Sequence, residues 1–281
     1  SSSSLAQLTD YHFNAPTTSN NLKRVLRALQ LRKPILLEGS PGVGKTSLIM
    51  AIAQVIGQKI VRINLSEQTD MADLLGSDLP VPLSQQKEDE KGNSLQFQWS
   101  DGILLSGIKQ GAWILLDELN LASQQVLEGL NSCLDHRATV YIPEIDKEFH
   151  CPETFQIFAC QNPIEEGGGR KGLPRSFINR FARVYVDALK EDDMILISKQ
   201  LVHSKLHQYY GENNTLIQYT NLDILLERMV QFIIRLDSIQ NVGRVKSIHS
   251  FEFNLRDIFR WCDLMFANQV IKLLQNAKFA D

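Results

Sequence analysis

The sequence lacks any long apolar segment. No apolar run approaches the roughly 20 residues that a membrane-spanning helix requires. The first residues, Ser1 to Ser4, also lack the basic and apolar regions of a secretory signal peptide. A membrane protein or a secreted protein therefore finds no support in the sequence.

Cysteine is scarce, and the net charge is close to zero. The four cysteines lie far apart and form no CxxC pair, which is typical of reduced, mostly buried thiols in a cytosolic or nuclear protein. The formal net charge of -3 argues against a broad nucleic-acid-binding surface, because such a surface needs clustered Lys and Arg. We therefore expect no direct contact with nucleic acid and no contact with membranes.

The overall composition, 43% hydrophobic and 22% charged residues, is that of an ordinary globular protein. The length of 281 residues predicts one large domain, or a core with a smaller companion. The chain starts without Met and opens on a serine run. We therefore expect a segment of a longer protein, with residues 1–17 as a linker.

Short apolar runs are spaced along the first two thirds of the chain as buried strands. Helical or inserted segments between them are long enough for crossover connections, which predicts a parallel sheet with helices on both faces. After Leu189 the strand patterns stop and helical patterns run to Ala267. We predict an α/β core with a five-stranded parallel sheet over residues 18–187 and a small all-helical domain over residues 188–281. The strand candidates are Ile35–Leu37, Ile60–Ile63, Trp113–Leu116, Phe155–Ala159 and Arg183–Val186.

Two segments interrupt this alternation. The polar stretch between Leu79 and Phe97 has no core-forming residues and is predicted to protrude as a solvated loop. The segment from Ala138 to Cys151 alternates apolar and polar residues on both sides of a Pro-Glu-Ile-Asp turn, which predicts a β-hairpin.

The residues Gly39 to Thr46 match the phosphate-loop pattern G-x-x-x-x-G-K-[ST], and they follow a strand and precede a helix. Such glycines let backbone N–H groups surround the phosphates of a nucleotide, while Lys45 reaches the β and γ oxygens. Thr46 supplies a hydroxyl to Mg²⁺. The pattern predicts that ATP and Mg²⁺ bind through Gly39, Ser40, Pro41, Gly42, Val43, Gly44, Lys45, Thr46 and Ser47.

A second element, Trp113 to Glu118, is an apolar strand that ends in two carboxylates. Together with the phosphate loop it forms a Walker B element, in which Asp117 holds the Mg²⁺ shell and Glu118 polarises the attacking water. The second acid favours a hydrolase over a nucleotide kinase, because a kinase has little use for a water-activating Glu.

Four further residues are candidates for three roles in the site. Asn162 ends the next strand, where an amide can orient water, although Asn before Pro is also a common turn former. Arg175 and Arg180 compete for the role of an arginine finger; we favour Arg180, and a surface salt bridge is the alternative for either. Arg256 begins a helix and is the candidate phosphate-sensing residue of a lid.

The order of these motifs resembles the plan of the AAA+ ATPases. Longer stretches, among them INLSEQTDMADLLGSDLPV and GAWILLDELNLASQQVLEGLNSCLDHR, are similar to the midasin family of dynein-related ATPases. The resemblance implies a phosphate-loop AAA+ core with a helical lid, a helix-2 insert at about 79–97 and a pre-sensor hairpin at about 138–151. Six such modules would lie in tandem and close into a ring.

The same resemblance implies a role for the whole ring. Arg180 would act in trans, completing the active site of an adjacent module, because it is expected on the far side of the core from its own phosphate loop. The ring would remove assembly factors from pre-60S ribosomal particles, in the nucleolus and nucleoplasm.

Three alternatives stay open at this point. The first is a free-standing MoxR-type chaperone ATPase, which the non-Met start and the lack of an appended domain disfavour. The second is a structural module that holds nucleotide without turnover, against which Glu118, Asn162 and Arg180 together argue. The third is a DNA-translocating relative, for which the hairpin offers too little positive charge.

Overall fold

The computed structural model describes residues 11–80, 97–134, 139–162, 172–210, 219–242 and 255–267. Its contacts divide the chain into two compact units. The first includes Lys23–Ser40 and Gly44–Val186. The second includes Pro41–Val43 and the residues from Asp187 onward, together with a segment that ends at Leu22.

The helices and strands follow one another along the chain as the alternating apolar patterns predict. The strands are, in order, β1 (Ile35–Glu38), β2 (Ile60–Asn64), β3 (Gly76–Pro80), β4 (Phe97–Asp101), β5 (Trp113–Asp117), β6 (Thr139–Ile142), β7 (Lys147–His150), β8 (Gln156–Gln161) and β9 (Ala182–Tyr185). The α-helices are α1 (Pro16–Leu29), α2 (Lys45–Ile56), α3 (Met71–Leu75), α4 (Ile103–Lys109), α5 (Gln124–Cys133), α6 (Arg175–Ile178), α7 (Glu191–Tyr210), α8 (Tyr219–Val242) and α9 (Leu255–Ala267).

A five-stranded sheet in the order β2-β5-β8-β1-β9 forms the first unit's core. All of its strand pairs are parallel, and each predicted strand is confirmed within a few residues. Every residue of the inner strand β5 is buried, as expected where helices cover both faces of a parallel sheet. The fold is therefore the predicted mixed α/β class.

The sheet register brings polar residues to one edge. Asn64 of β2 is aligned with Asp117 of β5, and Glu38 of β1 is aligned with Gln161 of β8. Because the strands are parallel, their carboxyl ends all meet at this edge, which is where ligands bind in open α/β sheets. The loop after β1 begins there.

The described residues also form two separate two-stranded antiparallel sheets. Strands β6 and β7 pair from Thr139↔His150 to Ile142↔Lys147 and confirm the predicted hairpin. Strands β3 and β4 pair on either side of the polar stretch, with Pro80 opposite Phe97. The rest of that stretch, residues 81–96, lies outside the described residues, so its prediction as a solvated loop stays a prediction.

The described part of the second unit contains three long helices. Helices α7, α8 and α9 enclose an apolar cluster that includes Val202, Leu226, Val230 and Ile258. The described part of the chain has no strand after Tyr185, as the pattern beyond Leu189 predicts. Within the same ranges, no helix combines the length and the apolarity that crossing a bilayer requires.

The beginning of α1 belongs to the second unit, whereas the sequence assigned it to a core over residues 18–187. Its polar groups explain the difference. The backbone N–H of Thr17 donates to Asp193 at 3.1 Å, and the side chain of Asn21 exchanges two hydrogen bonds with the backbone of Asp187, both at 3.1 Å. These bonds join the helix start to the segment that opens the helical unit.

Helix α4 approaches the sheet closely at Gly107. A Cβ added there would lie 2.5 Å from Ile114 Cδ1, so Gly107→Ala should destabilise the protein by about 1–2 kcal/mol through overpacking, despite the better helix propensity of Ala. Urea unfolding measures the change. Combining Gly107→Ala with Ile114→Val, which removes the obstructing methyl, should recover part of the loss. A stabilising Gly107→Ala would show that the helix has room there.

Candidate active site

The loop between β1 and α2 has the backbone that a phosphate loop needs. Gly42 and Gly44 have φ of 74° and 89°, in the left-handed region where glycine is favoured. Gly44 is the N-cap of α2 and supplies no side chain to the first turn. The N–H groups of that turn and the positive end of the helix dipole are therefore suited to an anion.

Lys45 is held at this loop by oxygen acceptors. The side chain is only 7% exposed. Its Nζ donates to the carbonyl oxygens of Gly39 and Ser40, at 2.7 and 2.9 Å, and to Asn162 Oδ1 at 2.7 Å. These acceptors are neutral. An anionic phosphate oxygen would replace them with a stronger, charge-assisted hydrogen bond.

Thr46 and Asp117 meet at the adjacent strand end. The Thr46 hydroxyl donates to Asp117 Oδ2 at 3.0 Å, and Asp117 is buried. A hydroxyl and a carboxylate side by side are hard oxygen donors of the kind that Mg²⁺ prefers, with the remaining positions left to water and phosphate. The two residues therefore fit the predicted role of holding Mg²⁺.

Glu118 has a backbone conformation that is uncommon for a side-chain-bearing residue. Its φ and ψ are 56° and 44°, and this left-handed conformation costs about 1–2 kcal/mol. Glu118 directly follows β5 and is the N-cap of the short 3₁₀ segment Leu119–Leu121. Strained backbone of this kind is concentrated at functional sites.

Asn162 connects the lysine to the glutamate. Its Oδ1 accepts from Lys45, and its Nδ2 donates to Glu118 Oε1 at 2.9 Å. The amide is buried, with 7% of the residue exposed. The structure thus brings Lys45, Asn162 and Glu118 together at the carboxyl edge of the sheet, beside Thr46 and Asp117.

Sequence reasoning missed two residues of this site. Asn120 is 2% exposed, and its Nδ2 donates to the carbonyl oxygen of Asn162 at 3.0 Å. Arg62 binds Asp117 from the neighbouring strand. The available signals were a polar residue inside the apolar turn that follows the Walker B acids, and a basic residue inside the apolar strand β2.

Cys160 lies in β8 beside the same group of residues. Burial, followed by the negative charge of Asp117, raises the pKa of Cys160 to about 12. The thiol therefore stays protonated near neutral pH, and its buried position agrees with the expectation of reduced, mostly buried thiols.

Arg180, the favoured finger candidate, does not lie at this edge of the sheet. Arg175 and Arg180 are both exposed, in α6 and directly after it, and Arg180 Nη1 donates to the carbonyl oxygen of Asn131 at 3.4 Å. Arg180 precedes β9, whose first residue is paired with Ile35 at the start of β1. About 10 Å of strand, at roughly 3.3 Å per residue, separates that end from the phosphate loop.

The lid candidate, Arg256, is described only in part. Its backbone lies in the first turn of α9. Its side chain is outside the described part of the structure, so its predicted contact with phosphate stays a prediction.

Two family models match the sequence. The AAA domain of the dynein-related subfamily matches residues 34–181, and the midasin AAA lid domain matches residues 217–278. The first match covers more than half of the chain and contains the phosphate loop, Asp117, Glu118 and Asn162.

Curated relatives extend the similarity to nearly the whole chain. Midasin from Dictyostelium discoideum is 50% identical over 273 residues, which are 96% of this chain and 4% of that protein. Midasin from Giardia intestinalis is 48% identical over 261 residues, which are 93% of this chain and 5% of that protein. The chain therefore spans about one twentieth of the length of these curated relatives.

Solved structures support the fold. NtrX from Brucella abortus aligns with a TM-score of 0.57 and 14% identity, over 100% of this chain and 56% of that chain. The same protein in complex with ADP aligns with a TM-score of 0.57 and 15% identity, over 94% of this chain and 53% of that chain. From the family models and the midasin relatives, the chain belongs to the dynein-related subfamily of AAA domains and is a midasin-like AAA+ module.

Proposed function

We propose that the chain binds and hydrolyses ATP as an AAA+ motor module of a midasin-like ring. The observation that carries this proposal is the chain of side-chain hydrogen bonds from Lys45 through Asn162 to Glu118. It lies beside the Thr46–Asp117 pair at the carboxyl end of the strands. The proximity of a lysine, a hydroxyl–carboxylate pair and a second carboxylate supports their proposed roles as phosphate ligand, metal ligands and general base.

Each residue has a role that its contacts support. Lys45 exchanges its loop carbonyls for phosphate oxygens. Thr46 and Asp117 would hold Mg²⁺, which neutralises charge on the phosphates when it is bound. Glu118 takes a proton from the attacking water, and Asn162 orients both that carboxylate and the lysine.

The ring and its larger task are part of the same proposal. Adjacent modules would be the direct partners, with Arg180 acting in trans. The full-length protein would remove assembly factors from pre-60S ribosomal particles in the nucleus. Support comes from the 48–50% identity to two midasins and from the position of Arg180 at the sheet edge opposite the phosphate loop.

Lys45→Ala tests the nucleotide site directly. The loss of charge-assisted hydrogen bonds to phosphate, each worth about 1.5–3 kcal/mol, should weaken nucleotide binding by roughly 10- to 100-fold. Titration with a fluorescent ATP analogue in the presence of Mg²⁺ measures the affinity. Lys59→Ala is the matched control, because Lys59 is an exposed lysine that bonds to Gln110. Equal affinity of Lys45→Ala and the unmodified chain would refute the assignment of the phosphate loop.

A further inference from the structure

Two guanidinium nitrogens of Arg62 contact the carboxylate of Asp117, the proposed Mg²⁺ ligand. Its Nη2 and Nε donate to Asp117 Oδ2, at 2.5 and 3.1 Å. The register places Asn64 beside Asp117, so Arg62, two residues earlier, is on the same face of the sheet and reaches Asp117 diagonally. The contact therefore follows from strand alignment.

The oxygen that Arg62 contacts is also the one that Thr46 contacts. Asp117 Oδ2 accepts the Thr46 hydroxyl at 3.0 Å in addition to the two guanidinium donors. A carboxylate oxygen offers about two lone-pair positions. All of its acceptor capacity is thus used, and a cation that binds Oδ2 must displace a donor.

Arg62 is the donor that a cation at Asp117 Oδ2 can displace most easily. Its side chain is 53% exposed, whereas that of Asp117 is 12% exposed, so the guanidinium can return to water at small cost. Its positive charge also opposes a second cation at the same oxygen. The Thr46 hydroxyl is neutral and can turn a lone pair toward the metal.

We propose that Arg62 is a positioning residue that holds Asp117 in the metal-free state and competes with Mg²⁺ for its carboxylate. It thereby sets the Mg²⁺ concentration at which the module binds nucleotide tightly. This inference rests on the proposed ATP–Mg²⁺ site. It adds to that site a counter-ion from β2 that must be released before the metal can bind Asp117 Oδ2.

The test is a Mg²⁺ titration of the chain with a fluorescent ADP analogue, which cannot be turned over. Arg62→Gln should lower the Mg²⁺ concentration at half-maximal binding by about two- to fivefold, the range expected for a half-exposed ion pair. In EDTA the same variant should bind the analogue more weakly than the unmodified chain, because the charge of Asp117 is then uncompensated. Arg62→Lys keeps the charge but loses the pair of guanidinium donors. Its Mg²⁺ midpoint should fall between those of Arg62→Gln and the unmodified chain.

Arg183→Gln is the matched control. Arg183 is another exposed arginine on an edge strand of the sheet, and it pairs with Glu38 at 2.8 Å. Its variant should leave the Mg²⁺ midpoint unchanged. The equilibrium between free analogue and Mg²⁺ is common to all variants, so it does not affect the comparison.

The outcomes separate the two proposals. If the unmodified chain shows Mg²⁺-dependent binding while the midpoints of Arg62→Gln and Arg62→Lys are unchanged or raised, the inference about Arg62 is wrong and the nucleotide site stands. If the unmodified chain binds no nucleotide at any Mg²⁺ concentration, both proposals fail. Urea unfolding of each variant verifies that a folded protein was measured.

Discussion

Glu118→Gln is expected to keep nucleotide bound and to lower ATP hydrolysis by roughly 10² to 10⁴-fold, the contribution of a general base. The substituted side chain has the same length and still offers an oxygen to Asn162 Nδ2, which lies 2.9 Å from Glu118 Oε1. The hydrogen bonds from Lys45 through Asn162 to residue 118 can therefore persist, whereas the amide of the introduced Gln cannot take a proton from water. Steady-state turnover of the assembled ring and equilibrium nucleotide binding measure the two effects separately.

Glu128→Gln is the control for this experiment. Glu128 is an exposed acid in α5, 2.9 Å from Gln124, and its substitution should change neither binding nor turnover. Unaltered turnover of the Glu118→Gln ring would refute the proposed mechanism. Loss of nucleotide binding would instead show that Glu118 holds the loop in place.

Arg180→Ala is expected to reduce turnover of the assembled ring by about 10³ to 10⁵-fold, the usual contribution of an arginine finger. As a finger, this guanidinium would supply positive charge as the phosphoryl group is transferred. The isolated chain should accordingly bind ATP yet hydrolyse it slowly, because its own Arg180 precedes β9 at the opposite edge of the sheet. Turnover per chain should rise with protein concentration if copies can pack as ring neighbours.

Mixing experiments identify which chain supplies the arginine. A Lys45→Ala chain, deficient in binding but retaining Arg180, should restore turnover to an Arg180→Ala chain only when the two pack as neighbours. Arg175→Ala, a change at the competing exposed arginine, should have little effect. A concentration-independent rate that Arg180→Ala does not alter would mean that each site is self-contained.

The elements around the site could be predicted because they depend on local pattern. An apolar strand, a glycine-rich turn and a helix closed by a left-handed Gly57 are all readable over short windows. The hairpin β6–β7 was readable in the same way, since its alternation and turn lie within 14 residues of sequence, Ala138 to Cys151. The predicted Walker B strand needed only its apolar run and terminal acids.

The contacts that complete the site could not be read in this way. Arg62 and Asp117 are 55 positions apart, and Asn120 and Asn162 are 42 apart. Each contact depends on the order and register of strands that are not consecutive in the chain. The left-handed turn at Glu118 is also invisible in the sequence, because such a backbone usually selects Gly or Asn.

The left-handed backbone at Glu118 creates a conflict between stability and the proposed activity. Glycine at 118 would relieve the backbone strain that glutamate bears with its φ of 56°. Selection for heat resistance alone would therefore favour replacement of the carboxylate that we propose as the general base. Engineering of a more stable module should exclude this position, since on the proposed mechanism a gain in stability there would come with a loss of ATP hydrolysis.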